Sequence, residues 1–179
     1  MEASRFEEVW TQFQWVLAEM RGGMGFFEGY VPSVRPDGLL EALSGVARLS
    51  SEAFAGSVWS NQASSAVVEG HRSPVQWVEH FRGGGITTLH FDYVAERGGA
   101  DLSLKLMLDS EAGATSLEVV CYREGVLESA DPKGAVRAAI EEFMRLREVF
   151  RGDALFIGPD TLNRPRGAED VPGEWLRVE

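Results

Sequence analysis

From Thr88 to Tyr122 apolar and polar side chains alternate with a period of two. Leu89, Phe91, Tyr93 and Ala95 interleave with Thr88, His90, Asp92 and Val94, and after Gly98-Gly99 Leu102, Leu104, Leu106 and Leu108 interleave with Ser103, Lys105 and Met107. Successive side chains of a strand point to opposite faces, so each run predicts a strand with one apolar face. A Gly-Gly pair between two such runs predicts a two-residue hairpin turn. That turn sets Asp92 opposite Lys105 and Phe91 opposite Leu106, with every apolar pair on one face. A third strand, Leu117 to Tyr122, adds Leu117, Val119 and Cys121 to that face and completes a meander. A loop of Ser110 to Gly113 would place Lys105 opposite Glu118 as well, between two carboxylates. The other register would put Lys105 opposite Val120 and Met107 opposite Glu118.

Helical spacing brackets the meander. Phe6, Trp10, Phe13 and Leu17 recur three or four residues apart, flanked by Val9, Val16 and Met20, and Gly22-Gly23 ends the run. Ser4-x-x-Glu7 at its start is a capping-box pattern. After Asp131-Pro132 a longer helix carries Val136, Ala139, Ile140, Phe143, Leu146 and Phe150 on one stripe, followed by a short strand, Ala154 to Ile157, that Gly158-Pro159 stops. Weaker signals predict a strand or irregular piece in 24–35, a helix after Arg35 and a helix opening at Ser73-Pro74 and running through Phe81. Short strands are predicted around Val58–Trp59 and Ala66–Val68. The fold expected is α+β: an antiparallel sheet centred on the meander (about 86–123), its Leu-rich face packed by an N-terminal helix and the long helix after residue 131. One domain spans 1–159, and 160–179 is an extended tail packed on it, anchored by Trp175 and Leu176.

Charge narrows the partners. The 179 residues hold 28 acidic and 17 basic side chains, a net charge of −11, with no basic segment anywhere along the chain. Phosphate-backbone binding needs Lys and Arg clusters, so nucleic acid is excluded as a partner, and an acidic field favours basic ones. No run approaches a membrane span, and Met1–Glu8 is acidic rather than basic-then-apolar, which points to a cytoplasmic location. A single cysteine, Cys121, permits neither an internal disulfide nor a thiolate metal cluster.

Each chemical motif weakens on inspection. His90-Phe91-Asp92 holds two ligand types of a facial iron triad, but no histidine follows it, and His71 and His80 lie upstream. Gly22, Gly23, Gly25 and Gly29 follow a helix rather than a strand, the reverse of a phosphate-cradling loop. Cys121 alternates into the core. Glu7-Glu8 and Glu141-Glu142 are adjacent on helices, so their carboxylates diverge, and they are expected on solvated faces. No catalytic residue, cofactor or metal site follows, and the chain is not expected to be an enzyme. The meander's second face is harder to dismiss: Thr88, His90, Asp92, Val94, Ser103, Lys105, Met107, Glu118, Val120 and Tyr122 are too apolar for idle surface and too polar for a second core. A partly covered face or a binding surface would produce this mixture. His90, Asp92, Lys105, Met107, Glu118 and Tyr122 are the candidate partner-binding residues.

With its meander, the helix from Asp131, the ending Phe156-Ile157-Gly158-Pro159-Asp160 and its acidity, the chain resembles the immunity proteins of bacterial polymorphic-toxin systems, over most of its length and without a specific motif. That resemblance implies a small cytosolic α+β protein that binds and neutralises one cognate toxin, a basic toxin domain. The alternative is a small-molecule binding domain with a pocket between the sheet and the long helix. Homo-oligomerisation is left open.

Overall fold

The computed structural model describes residues 2–35, 42, 56–59, 68–70, 79, 88–97, 100–111, 114–159, 165, 171, 173 and 175–178. Within 56–59, 68–70 and 88–97 it describes the backbone, and one side chain, Ala95. The predicted helices after Arg35 and from Ser73 fall largely outside these residues.

Two short helices open the chain. α1 (Ala3–Phe13) and α2 (Trp15–Gly22) are parted by a single turn residue at Gln14, where one continuous helix was predicted. Phe6, Val9, Phe13, Val16 and Met20 are buried, and Gly23 ends the run at φ 120°, a conformation that glycine adopts without steric cost. The capping box does not form. The helix begins at Ala3 with Glu2 as its cap, which puts Ser4 and Glu7 inside the first turns. Glu7 is engaged elsewhere: both carboxylate oxygens accept from Lys133 Nζ at 2.9 Å, and that ammonium lies 5.3 Å from the Trp10 ring centroid and 5.6 Å from that of Phe6.

The sheet holds eight described strands: β1 (Phe26–Val31), β2 (Gly56–Trp59), β3 (Val68–Gly70), β4 (Thr88–Arg97), β5 (Ala100–Glu111), β6 (Ala114–Tyr122), β7 (Leu155–Pro159) and β8 (Leu176–Val178). Their spatial order is β3-β2-β4-β5-β6-β1-β7-β8, antiparallel throughout. The meander β4-β5-β6 is central, as the alternation predicts. In the first hairpin Asp92 pairs with Lys105 and Phe91 with Leu106, as read from the sequence. The second hairpin corrects one expectation: Glu111 pairs with Ala114, so Lys105 faces Val120 and Met107 faces Glu118. The trio of Lys105 between two carboxylates therefore does not form. Both registers keep Leu104 and Leu106 opposite apolar residues, because a slip of two preserves the face of every side chain.

α3 (Arg123–Leu127), unpredicted, follows β6 directly, and α4 (Pro132–Val149) lies across the sheet. Asp131 caps α4, its carboxylate accepting from the Gly134 N–H at 3.0 Å, with Pro132 in the first turn. On the Leu-rich face Phe143 rests on Gly29 of β1 and meets Phe27 at 5.6 Å between centroids, and Phe13 also meets Phe27 at 5.6 Å. Helices and sheet thus bury one core running from Phe6 to Val178, an α+β arrangement. β7 runs through Pro159, two residues past the predicted end at Ile157. Pro159 pairs with Phe27 of β1 but lies beyond the last β8 partner, so its missing N–H leaves that side of the ladder intact. Among the described residues no helix is long and apolar enough to cross a membrane.

Candidate functional site

Residues directly opposite in an antiparallel ladder share a face, so register alone assembles the second face of the sheet. One row crosses it through His90, Met107, Glu118, Tyr30, Phe156 and Arg177. The next runs through Asp92, Lys105, Val120, Glu28 and Gly158. Beyond these, Tyr122 pairs with Phe26 and Ser103 with Val94. All six predicted site residues lie on this face, in three neighbouring rows of β4, β5 and β6.

Burial divides them. Lys105, Met107 and Tyr122 are half-buried and Ser103 is exposed, whereas Glu118 and Val120 are each 3% exposed and Glu28 of β1 is 1% exposed. The side chains of His90 and Asp92 lie outside the described residues. The face is thus covered over β6, β1 and β7 and partly open over β5. One part of the cover is identified: the Trp175 indole lies on Gly158, where an added Cβ would run into the ring. Trp175 also meets Tyr30 edge-to-face at 6.3 Å and is itself 6% exposed. At the other end of the sheet Phe26 and Tyr122, both half-buried, form an edge-to-face pair at 6.3 Å. Phe26, Glu28 and Tyr30 were missed as members of this face. Their alternation in β1 was a usable signal, but nothing local told that β1 would insert beside β6.

Against that geometry the comparisons with known proteins are sparse. No protein-family model matches the chain, and neither does any curated protein. A solved structure does match: one chain of the crystal structure of the toxic C-terminal tip of CdiA from Pseudomonas aeruginosa in complex with immune protein. The two chains are 18% identical, with a TM-score of 0.51 over 76% of this chain and 86% of that one. What they share is the fold.

The remaining chemical groups are occupied by structure. Cys121 points into the Leu-rich core, 1% exposed, and burial pushes its thiol up to about 12, so it stays protonated and inert at neutral pH. Glu141 and Glu142 do diverge, but Glu142 corrects the expectation of a solvated pair, being 1% exposed. Its two oxygens accept from Arg145 at 2.9 and 2.5 Å, a two-point ion pair that lets a carboxylate stay charged away from water. Glu141 accepts from Arg137 Nε at 3.0 Å; burial alone would raise its carboxyl, yet the Arg137 hydrogen bond helps bring it below the ordinary value. Among the described residues no three His, Cys, Asp or Glu side chains converge to hold a metal ion.

Proposed function

We propose that the chain is a non-enzymatic binding protein, the immunity partner that neutralises a cognate bacterial toxin. The observation that carries this reading is the fold likeness to one chain of a toxin–immune protein complex, over most of both chains. The net charge of −11 favours the inhibitor's role, since an acidic protein is complementary to a basic toxic domain and is drawn to it faster than by unsteered diffusion. The sheet's second face supplies a surface of suitable character. Lys105, Met107 and Tyr122 stand half-buried there, Tyr122 paired with Phe26, with His90 and Asp92 in register next to Met107 and Lys105 and the buried Glu118 paired with Met107.

The test is co-expression. A toxic domain encoded next to this chain should arrest growth alone and fail to do so when the chain is present. The purified pair should associate more slowly as ionic strength rises toward the physiological range, where the Debye length falls to about 8 Å. Continued toxicity despite stable co-expression would sink the proposal. So would turnover of a substrate by the purified chain with no partner present.

A further inference from the structure

We propose that one end of the sheet's second face, where Glu96 is paired with Asp101 near the aromatic pair Phe26–Tyr122, is the docking point for an arginine side chain of the basic partner. The proposal rests on the reading of the chain as a binder, and it names where on the face, and by which charges, the partner is held.

Register brings the acids together. Glu96 of β4 lies directly opposite Asp101 of β5, so two like charges share one rung and one face of the ladder. Opposite charges stabilise such a rung and like charges weigh against it, so sheet formation does not favour this pairing. Asp92, on the same face, lies opposite Lys105. From Asp92 to Lys105 the face thus carries three carboxylates, Asp92, Glu96 and Asp101, and one ammonium, whose own rung already holds a carboxylate. Local conflicts of this kind are expected where a sequence serves function rather than folding.

The neighbouring described residues meet solvent. Ser103, two residues after Asp101, is exposed, and Leu104 next to it pairs with Cys121, which puts Tyr122 at the same end of β6. Tyr122 pairs with Phe26 and meets it edge-to-face, both rings half-buried. Beside Phe26, Gly25 is exposed, and a Cβ added there would meet no atom within 4 Å. Deeper along the same strands Val120, Glu118 and Glu28 are buried and offer no such access. Asp101 and Ser103 are ~7 Å apart along β5, within the reach of one arginine side chain. A guanidinium suits both halves of this surface, since its charge lies well between two carboxylates and its flat face stacks on aromatic rings.

Tetra-arginine peptide, titrated at low ionic strength into the isolated chain and followed by amide chemical shifts, tests this with no toxin present. The largest shifts should fall on Glu96, Asp101, Ser103, Phe26 and Tyr122 and fade as salt is raised. Glu96→Gln combined with Asp101→Asn should weaken peptide binding by about 5-fold or more. Glu8→Gln combined with Glu19→Gln removes the same charge from exposed helix positions and should leave binding within about twofold. In urea unfolding each single change, Glu96→Gln or Asp101→Asn, should raise the midpoint. The two together should raise it by less than their sum, since either one removes the repulsion. The docking point is overturned if the shifts spread evenly over the acidic surface, or if both pairs of replacements weaken binding equally. The arginine occupant is overturned if calcium ion at matched ionic strength gives the same shifts. The like-charge rung is overturned if neither single change raises the midpoint, or if the two gains simply add. Failure of the growth assay would instead remove the toxin reading and leave these shifts and midpoints as they are.

Discussion

A close approach of helix to sheet makes Gly29 an informative position to perturb. It sits in β1, with Val119 of β6 on one side and Ile157 of β7 on the other, and a Cβ added there would lie 2.5 and 2.7 Å from Phe143 Cδ2 and Cγ. Ordinary contact begins near 3.5 Å, so Gly29→Ala must push the ring or the strand. The ring has little room to retreat, because Phe143 is 1% exposed and already packs against Phe27. Overpacking of this kind costs about 1–3 kcal/mol. Alanine recovers about 0.5–1 kcal/mol of the conformational entropy that glycine loses in a strand. Subtracting the midpoints of these ranges gives an expected net loss of ~1 kcal/mol, and ~2 kcal/mol where the ring cannot yield. Urea unfolding followed by circular dichroism should show the midpoint falling by ~0.5–1 M with an unchanged slope. The decisive experiment adds Phe143→Leu, which makes space where the new methyl goes. If the packing argument holds, the double variant is more stable than the two single losses predict by ~0.5 kcal/mol or more. Strict additivity, or a Gly29→Ala protein as stable as the native one, would refute the proposed contact.

Three further outcomes follow from the same core. Leu106→Ala, at a fully buried site in the central strand, should cost ~2–5 kcal/mol in the same unfolding assay. Cys121 is raised from its ordinary 9.0 to about 12 by burial. Its contribution is whole below pH 9.0 and is lost as pH climbs toward about 12, because only the unfolded state then releases the proton. Near pH 10 the loss should be on the order of 1 kcal/mol, and Cys121→Ala should flatten that alkaline limb. An alkaline limb identical in the native and Cys121→Ala chains would contradict the assigned burial. Glu142→Ala should destabilise by ~2–4 kcal/mol by leaving Arg145 without its two-point partner, and the double replacement by leucine should cost less than either single change.

Local pattern was enough for the meander, since the side-chain period of a strand is written directly in residues 88–122 and the Gly98-Gly99 turn leaves one register for the first hairpin. It was enough, too, for α4, where Asp131, Pro132 and the apolar stripe agree. The second hairpin was beyond it: registers two residues apart keep the same face, so only the pairing of Glu111 with Ala114 decides that Lys105 meets Val120. The six site residues were legible as members of one face, because parity alone decides facing. Which of them stay accessible was not, for cover comes from far along the chain, Trp175 lying on a strand that begins at Leu155. The insertion of β1 between β6 and β7 is non-local in the same sense. Nothing in Phe26–Val31 encodes its neighbours, and Gly29, read in isolation as part of a glycine-rich stretch, takes its meaning from a phenylalanine more than a hundred residues away. Tertiary structure alone could also turn Glu142 from one of an exposed pair into a buried anion. Burial is a property of what packs on a residue, and Arg145 one turn on makes it tolerable.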